Sequence, residues 1–152
     1  MEIRLALYDF DGVMTDNKVM IDENGFESVI VNRSDGLAVK LINELNVKQI
    51  IVSSESNKVV NKRAQKLGIE CKQNVENKAS AVEKLSKDLS IMKDEIAFIG
   101  NDLNDFEAMK IVGFPLCPSD ASQEIKDISK EILPSKGGSG VIRDFYDFLI
   151  IK

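Results

Sequence analysis

Two spacings of apolar residues alternate along the chain. Short apolar runs at 4–9 (RLALYD), 47–54 (VKQIIVSS), 69–74 (IECKQN) and 95–100 (EIAFIG) read as strands. Between and after them, 36–45, 58–68, 78–89, 105–113 and 141–150 read as helices. This alternation predicts βα units: a doubly wound α/β fold with a mainly parallel sheet and helices on both faces. Residues 18–32 (KVMIDENGFESVIVN) break the rhythm, because two β-prone arms flank the turn-forming DENG. A β-hairpin is expected there, inserted after the first strand and lying over the carboxyl ends of the strands.

Composition narrows the picture. At 152 residues and 43% hydrophobic, the chain suits one domain over 1–152 with a substantial core. No apolar stretch is long enough for a membrane span, and MEIRLALYDF lacks the pattern of a secretion signal, so a cytoplasmic chain without a membrane partner is expected. Cys71 and Cys117 show no metal-ligand or disulfide pattern and read as reduced packing thiols. The chain has no histidine, so Ser-His and Cys-His mechanisms are excluded and acid-base work falls to carboxylates or lysines. A net charge of −5 argues against a nucleic-acid partner.

Polar residues at strand ends carry the candidate chemistry, since the ligand crevice of an open α/β sheet lies there. The first strand ends in Asp9-Phe10-Asp11-Gly12, the second at Ser53-Ser54, Lys78 opens a helix, and EIAFIG runs into Asn101-Asp102-Leu103-Asn104-Asp105. Each has an ordinary structural explanation: a turn, a hydroxyl on backbone amides, a surface lysine, a helix cap. Together, in this order, they fit phosphoryl transfer. Asp9 is the candidate nucleophile, with Mg²⁺ neutralising charge between its carboxylate and the phosphoryl oxygens. Asp11 is the candidate acid and base, protonating the leaving oxygen and later activating water. Gly12 admits backbone amides to the phosphate, and Ser53, with Ser54 beside it, and Lys78 bind its other oxygens. The loop 101–105 completes an all-oxygen metal site, which assigns Asp9, Asp11 through its backbone carbonyl, Asn101 and Asp102 to Mg²⁺ with Asp105 in support.

These residues carry a resemblance. Asp9-x-Asp11-Gly12-Val13-x-Thr15-Asp16, Ser53, Lys78 and Gly100-Asn101-Asp102-x-x-Asp105 resemble the four motifs of the haloacid dehalogenase superfamily phosphatases. The absence of a cap domain, the segment 32–36 (NRSDG), and 137–144 (GGSGVIRD) resemble its capless branch. That branch includes 3-deoxy-D-manno-octulosonate 8-phosphate phosphatases, 2-keto-3-deoxynononate 9-phosphate phosphatases and the C-terminal domains of some acylneuraminate cytidylyltransferases. The resemblance implies a small sugar phosphate substrate and a homotetramer whose hairpins form a central barrel, each site being walled by a neighbour. It also implies a functional link to a cytidylyltransferase. Within the branch, Glu55 and Lys66 look like the sugar-facing pair of the nonulosonate phosphatases, and Arg63 like a contact to the substrate carboxylate or to a neighbouring subunit. The segment 137–143, ending in Arg143, either approaches a neighbouring site or is a flexible loop with a helix cap.

Asn101 departs from the family pattern, which usually has aspartate there, and an amide contributes an oxygen without charge. Weaker metal binding is the expectation, with Asp102 or Asp105 placed to supply charge directly or through water. The sequence therefore reads as a Mg²⁺-dependent phosphatase of a 3-deoxy-ulosonate phosphate, of the nine-carbon kind, working through an aspartyl phosphate. The octulosonate 8-phosphate is the alternative substrate. A weakly catalytic tetramerisation module is the alternative of another class, and a signalling receiver domain is disfavoured because IECKQN offers no phospho-acceptor aspartate.

Overall fold

The computed structural model describes residues 2–151. Its core is a sheet of six parallel strands: β1 (Leu5–Tyr8), β4 (Lys48–Val52), β5 (Glu70–Lys72), β6 (Ile96–Ile99), β7 (Phe114–Cys117) and β8 (Glu131–Ile132). They lie in the order β5-β4-β1-β6-β7-β8, so β1 is central and the winding reverses between β1 and β6. Alternation of side chains along each strand divides the core in two. Ala6, Tyr8, Ile51 and Ile99 pack with α1 (Arg33–Glu44), α2 (Lys58–Leu67) and α6 (Val141–Ile151). Leu5, Leu7, Ile50 and Phe98 pack on the other face with α3 (Lys78–Leu89), α4 (Phe106–Lys110) and α5 (Gln123–Ile128).

Local chemistry sets the helix ends. Asn32, Asn57 and Asn77 each accept a hydrogen bond from a first-turn amide, at 2.9–3.0 Å, and so start α1, α2 and α3. The hairpin forms as a separate antiparallel pair, β2 (Met20–Ile21) with β3 (Glu27–Ser28). Its turn closes through Asp22, whose side chain accepts the Asn24 and Phe26 amides at 2.9 Å each.

The structure extends the sequence reading at the C-terminal half. The helix read over 105–113 shrinks to α4, and β7, α5 and β8 follow where no element was expected. Gly113 stops the run: a Cβ there would lie 2.2 Å from the Asp94 carbonyl oxygen. The strand that follows contains Pro115, which hides its β character, and β8 is only two residues long and exposed.

Asp35, in the first turn of α1, is 1% exposed and accepts the Ile142 amide at 3.2 Å, so it caps α6 from below while its second oxygen has no hydrogen-bond partner. Burial raises its carboxyl to about 6 from 3.8, against the amides of Ile142 and Arg143. The folded state thus holds this proton more tightly than the unfolded chain. The associated stability is full below the unfolded value and is lost as pH rises through the folded one, an effect of about 3 kcal/mol. Urea unfolding of Asp35→Asn is expected to gain roughly that much relative to wild type between about pH 4 and pH 7. A difference between the two proteins that ignores pH would contradict the assignment.

Candidate active site

The reversal between β1 and β6 opens a crevice at their carboxyl ends, the usual ligand position in such sheets. Tyr8 is in register with Ile99 and Ile51, which brings Asp9, Gly100 and Val52 level and puts Ser53 one residue beyond. Asp9 is fixed by its amide on the Ile99 carbonyl at 3.0 Å and by its carboxylate, which accepts the Phe10 amide at 2.8 Å.

Lys78 reaches this point from the first residue of α3. Its ammonium lies 2.9 Å from Asp9 Oδ1 and 2.7 Å from Asp105 Oδ1, and all three side chains are buried. Burial alone would lower the lysine, but the two carboxylates and their hydrogen bonds outweigh it and hold the ammonium charged. For Asp9, burial and then the charge of Asp105 raise the carboxyl well above the usual range, and Lys78 only partly offsets them. One ammonium between two buried carboxylates leaves a net negative charge. Asp105 also ties the loop together: its other oxygen accepts the Asn101 amide at 2.9 Å. A Cβ on Gly100 would lie 2.6 Å from the Asp105 Cβ, so this close approach requires glycine.

The turn after Asp9 presents Asp11. The Phe10 carbonyl accepts the amides of Val13, Met14 and Thr15, and Gly12 takes φ +85°. Thr15 Oγ1 accepts the Gly12 and Asn17 amides at 3.3 and 3.1 Å and faces Asp11 Oδ1 at 3.5 Å. Asp11 is half-buried, and burial, then Glu55 and Glu27, raise its carboxyl, in keeping with a group that donates a proton. It opens into a cleft lined by Lys18, Glu27, Glu55, Asn57 and Val59, so the hairpin forms one wall. Glu27, Lys18 and Asn57 were not singled out from sequence, where nothing distinguishes them from solvated positions on a hairpin or helix cap. A second, more apolar groove along Ile3, Leu45, Val47 and Leu149 lies at the opposite end of the strands and gathers no such chemistry.

Asn101 faces both aspartates. One terminal atom of its amide sits 2.9 Å from Asp9 Oδ2 and 3.0 Å from the Asp11 carbonyl oxygen. With nitrogen in that place, the amide donates to both. With oxygen there, three oxygens converge, an arrangement that calls for a cation. Oxygens on adjacent corners of an octahedral Mg²⁺ shell of radius ~2.1 Å are ~3.0 Å apart, so the donor set fits Mg²⁺. Among the described residues no three His, Cys, Asp or Glu side chains cluster as a metal site, because this set mixes a carboxylate, a main-chain carbonyl and an amide.

The other candidates are placed as follows. Ser53 is buried, its hydroxyl accepting the Glu55 amide at 3.1 Å, while Ser54 is exposed. Asp102 is exposed, and its carboxylate accepts the Leu103 amide at 2.8 Å. The Asp11 carbonyl, the group expected to ligate at this position, faces Asn101, while its side chain turns to Thr15 and the cleft. Arg63 and Lys66 line a different cleft, with Arg33, Leu37 and Lys40, and Arg63 donates to the Asn32 carbonyl at 3.0 Å. Within this chain they are therefore not brought to Glu55. Arg143, at the start of α6, pairs with Asp147 at 3.3 Å in the exposed helix face.

Residues 15–144 match the model of the haloacid dehalogenase-like hydrolases. The chain belongs to that family. It is 30% identical over 150 residues to the 3-deoxy-D-manno-octulosonate 8-phosphate phosphatase KdsC of Salmonella typhi, covering 98% of this chain and 80% of the relative. The Escherichia coli K12 protein of the same name is 29% identical with the same coverage. Among solved structures, the Moraxella catarrhalis 3-deoxy-D-manno-octulosonate 8-phosphate phosphatase, in complex with magnesium, phosphate and KDO, superposes with a TM-score of 0.94. It is 27% identical, over 98% of this chain and 86% of that one. The cobalt-bound Haemophilus influenzae phosphatase gives 0.93 at 26% identity, over 99% and 88%. This haloacid dehalogenase-like chain is a phosphoric monoester hydrolase, and the receiver reading falls away. No helix among its described residues is long and apolar enough to cross a membrane.

Proposed function

We propose that the protein hydrolyses the terminal phosphate of a 3-deoxy-ulosonate sugar acid with Mg²⁺, through an aspartyl phosphate on Asp9. The observation that carries this reading is the convergence of Asp9 Oδ2, the Asp11 carbonyl and the Asn101 amide, with Lys78 on the opposite oxygen of Asp9. Bound Mg²⁺ would offset negative charge on the carboxylate and the phosphoryl oxygens. Asp9 attacks phosphorus in line, and Asp11 protonates the departing sugar oxygen from the cleft side. Asp11 then takes a proton from the water that hydrolyses the aspartyl phosphate. Ser53, Lys78 and the turn at Gly12 hold phosphoryl oxygens.

Two supports bear on the sugar. The curated relatives named above are phosphatases of the eight-carbon acid phosphate, whereas Glu55, which lines the cleft beside Asp11, is the residue whose resemblance to the nonulosonate phosphatases supports the nine-carbon one. The hairpin is the proposed subunit contact, because Met20, Ile21, Phe26 and Ile30 expose 62–81% of their surface on it. Assembly through it is the proposed route by which Arg63 and Lys66 of one subunit reach the site of another. Phosphate release from 2-keto-3-deoxynononate 9-phosphate, N-acetylneuraminate 9-phosphate and 3-deoxy-D-manno-octulosonate 8-phosphate, side by side, tests the reading. Selective release that EDTA stops is expected, and no release from any of the three by folded protein would favour the tetramerisation module.

Asn101 gives a second check. Replacing it by aspartate adds charge to the metal site but sets two carboxylates face to face when no metal is present. Calorimetry on Asn101→Asp is expected to show Mg²⁺ binding about tenfold tighter. Its melting temperature without metal should fall by roughly 2–4 °C for each kcal/mol of repulsion. Unchanged metal affinity would remove Asn101 from the ligand set.

A further inference from the structure

The loops at the carboxyl ends of β1, β6 and β7 are joined by a belt of hydrogen bonds that the catalytic reading leaves unused. Ser122 donates to the Asn101 carbonyl at 2.9 Å, and Ser119 donates to the Ser135 carbonyl at 3.0 Å. Gly138 donates to the Val13 carbonyl at 3.0 Å, and its own carbonyl accepts from Asn32 Nδ2 at 3.3 Å. One side chain closes the belt: Asp120 accepts the Gly137 amide at 2.9 Å. The fit against the catalytic turn is close. A Cβ on Gly137 would lie 2.1 Å from the Gly12 carbonyl oxygen, and one on Gly138, where φ is +77°, 2.6 Å from the Asp16 amide nitrogen. The Gly137–Gly138 turn is therefore pressed onto the backbone of residues 12–16 of its own chain.

We propose that Asp120 is a positioning residue: it holds the Gly137–Gly138 turn against the Gly12–Thr15 backbone, and so keeps the Asp11 carbonyl aimed at the point where Asp9 and Asn101 converge. The inference rests on the metal-dependent reading of that point. A carboxylate suits the task, since an ionised acceptor makes a stronger hydrogen bond to an amide than a neutral one. Its effect is on the carbonyl of a neighbouring turn and not on bound sugar, so metal affinity and kcat should move while KM does not.

The test measures Mg²⁺ binding by calorimetry, together with phosphate release, for wild type, Asp120→Ala and Asp120→Asn. Asp120→Ala is expected to bind Mg²⁺ about tenfold more weakly and to lose about tenfold in kcat at saturating metal, with KM unchanged. Asp120→Asn keeps an acceptor oxygen and should recover most of both. Metal affinity and kcat within twofold of wild type in folded Asp120→Ala would overturn the proposal. Wild type that binds Mg²⁺ but releases no phosphate would defeat the proposed reaction alone, since the effect of Asp120 on metal affinity is read separately. Wild type that binds no Mg²⁺ would overturn both.

Discussion

Asp9→Asn abolishes phosphate release, with kcat down on the order of 10⁵-fold, while the protein remains folded. An amide oxygen is a poor nucleophile toward phosphorus, and nothing else in the site can replace it: Asp105 is committed to Lys78 and the Asn101 amide, and Asp11 to the cleft. The fold should not suffer. Asn keeps an oxygen for the Phe10 amide, and the substitution removes one of two buried carboxylates that share a single ammonium. The metal-free variant should thus melt at or above the wild-type temperature. Retention of more than about a tenth of wild-type kcat would defeat the nucleophile assignment.

Lys78→Met is expected to combine a large loss of activity with a large loss of stability. The ammonium is the only cation in contact with Asp9 and Asp105 among the ion pairs of the described residues. Its removal leaves two buried carboxylates without a counter-charge, a change of about 3–5 kcal/mol near neutral pH. Removing a charged donor from the phosphoryl oxygens should lower kcat by about 10²–10³-fold. Carboxyls left unpaired take up protons more readily in the folded state, so the variant should regain stability relative to wild type as pH falls. Adding Asp105→Asn should restore much of the stability and none of the activity. Chemical denaturation at two pH values, alongside kcat, separates the two roles.

How far the sequence could be read depended on how local each signal was. Asp9, Asp11, Ser53, Lys78 and Asn101 stand beside apolar strands or at helix starts, so their common location followed from the α/β pattern and the rule for where its ligands bind. The hairpin was legible because DENG separates two β-prone arms. By contrast β7, with Pro115 inside it, and β8, two residues long, carry too little periodicity to show. Metal ligation depends on which atom of a residue faces the site: the carbonyl of Asp11, the ligand expected there from sequence, faces Asn101, and the Asp102 carboxylate accepts the Leu103 amide. Asp120 gave no signal at all, because its partner is a backbone amide 17 residues away.

The central claim is a covalent phosphoryl group on Asp9. Asp11→Asn slows both the formation and the hydrolysis of this intermediate, and rapid quenching during turnover of the sugar phosphate with Mg²⁺ should trap it. Reduction with borohydride converts an aspartyl phosphate to homoserine, and peptide mass spectrometry then locates the modified residue. Homoserine at position 9, absent when substrate or Mg²⁺ is left out, is the predicted result. Modification at another carboxylate, or an unmodified position 9 while phosphate is being released, would contradict the mechanism.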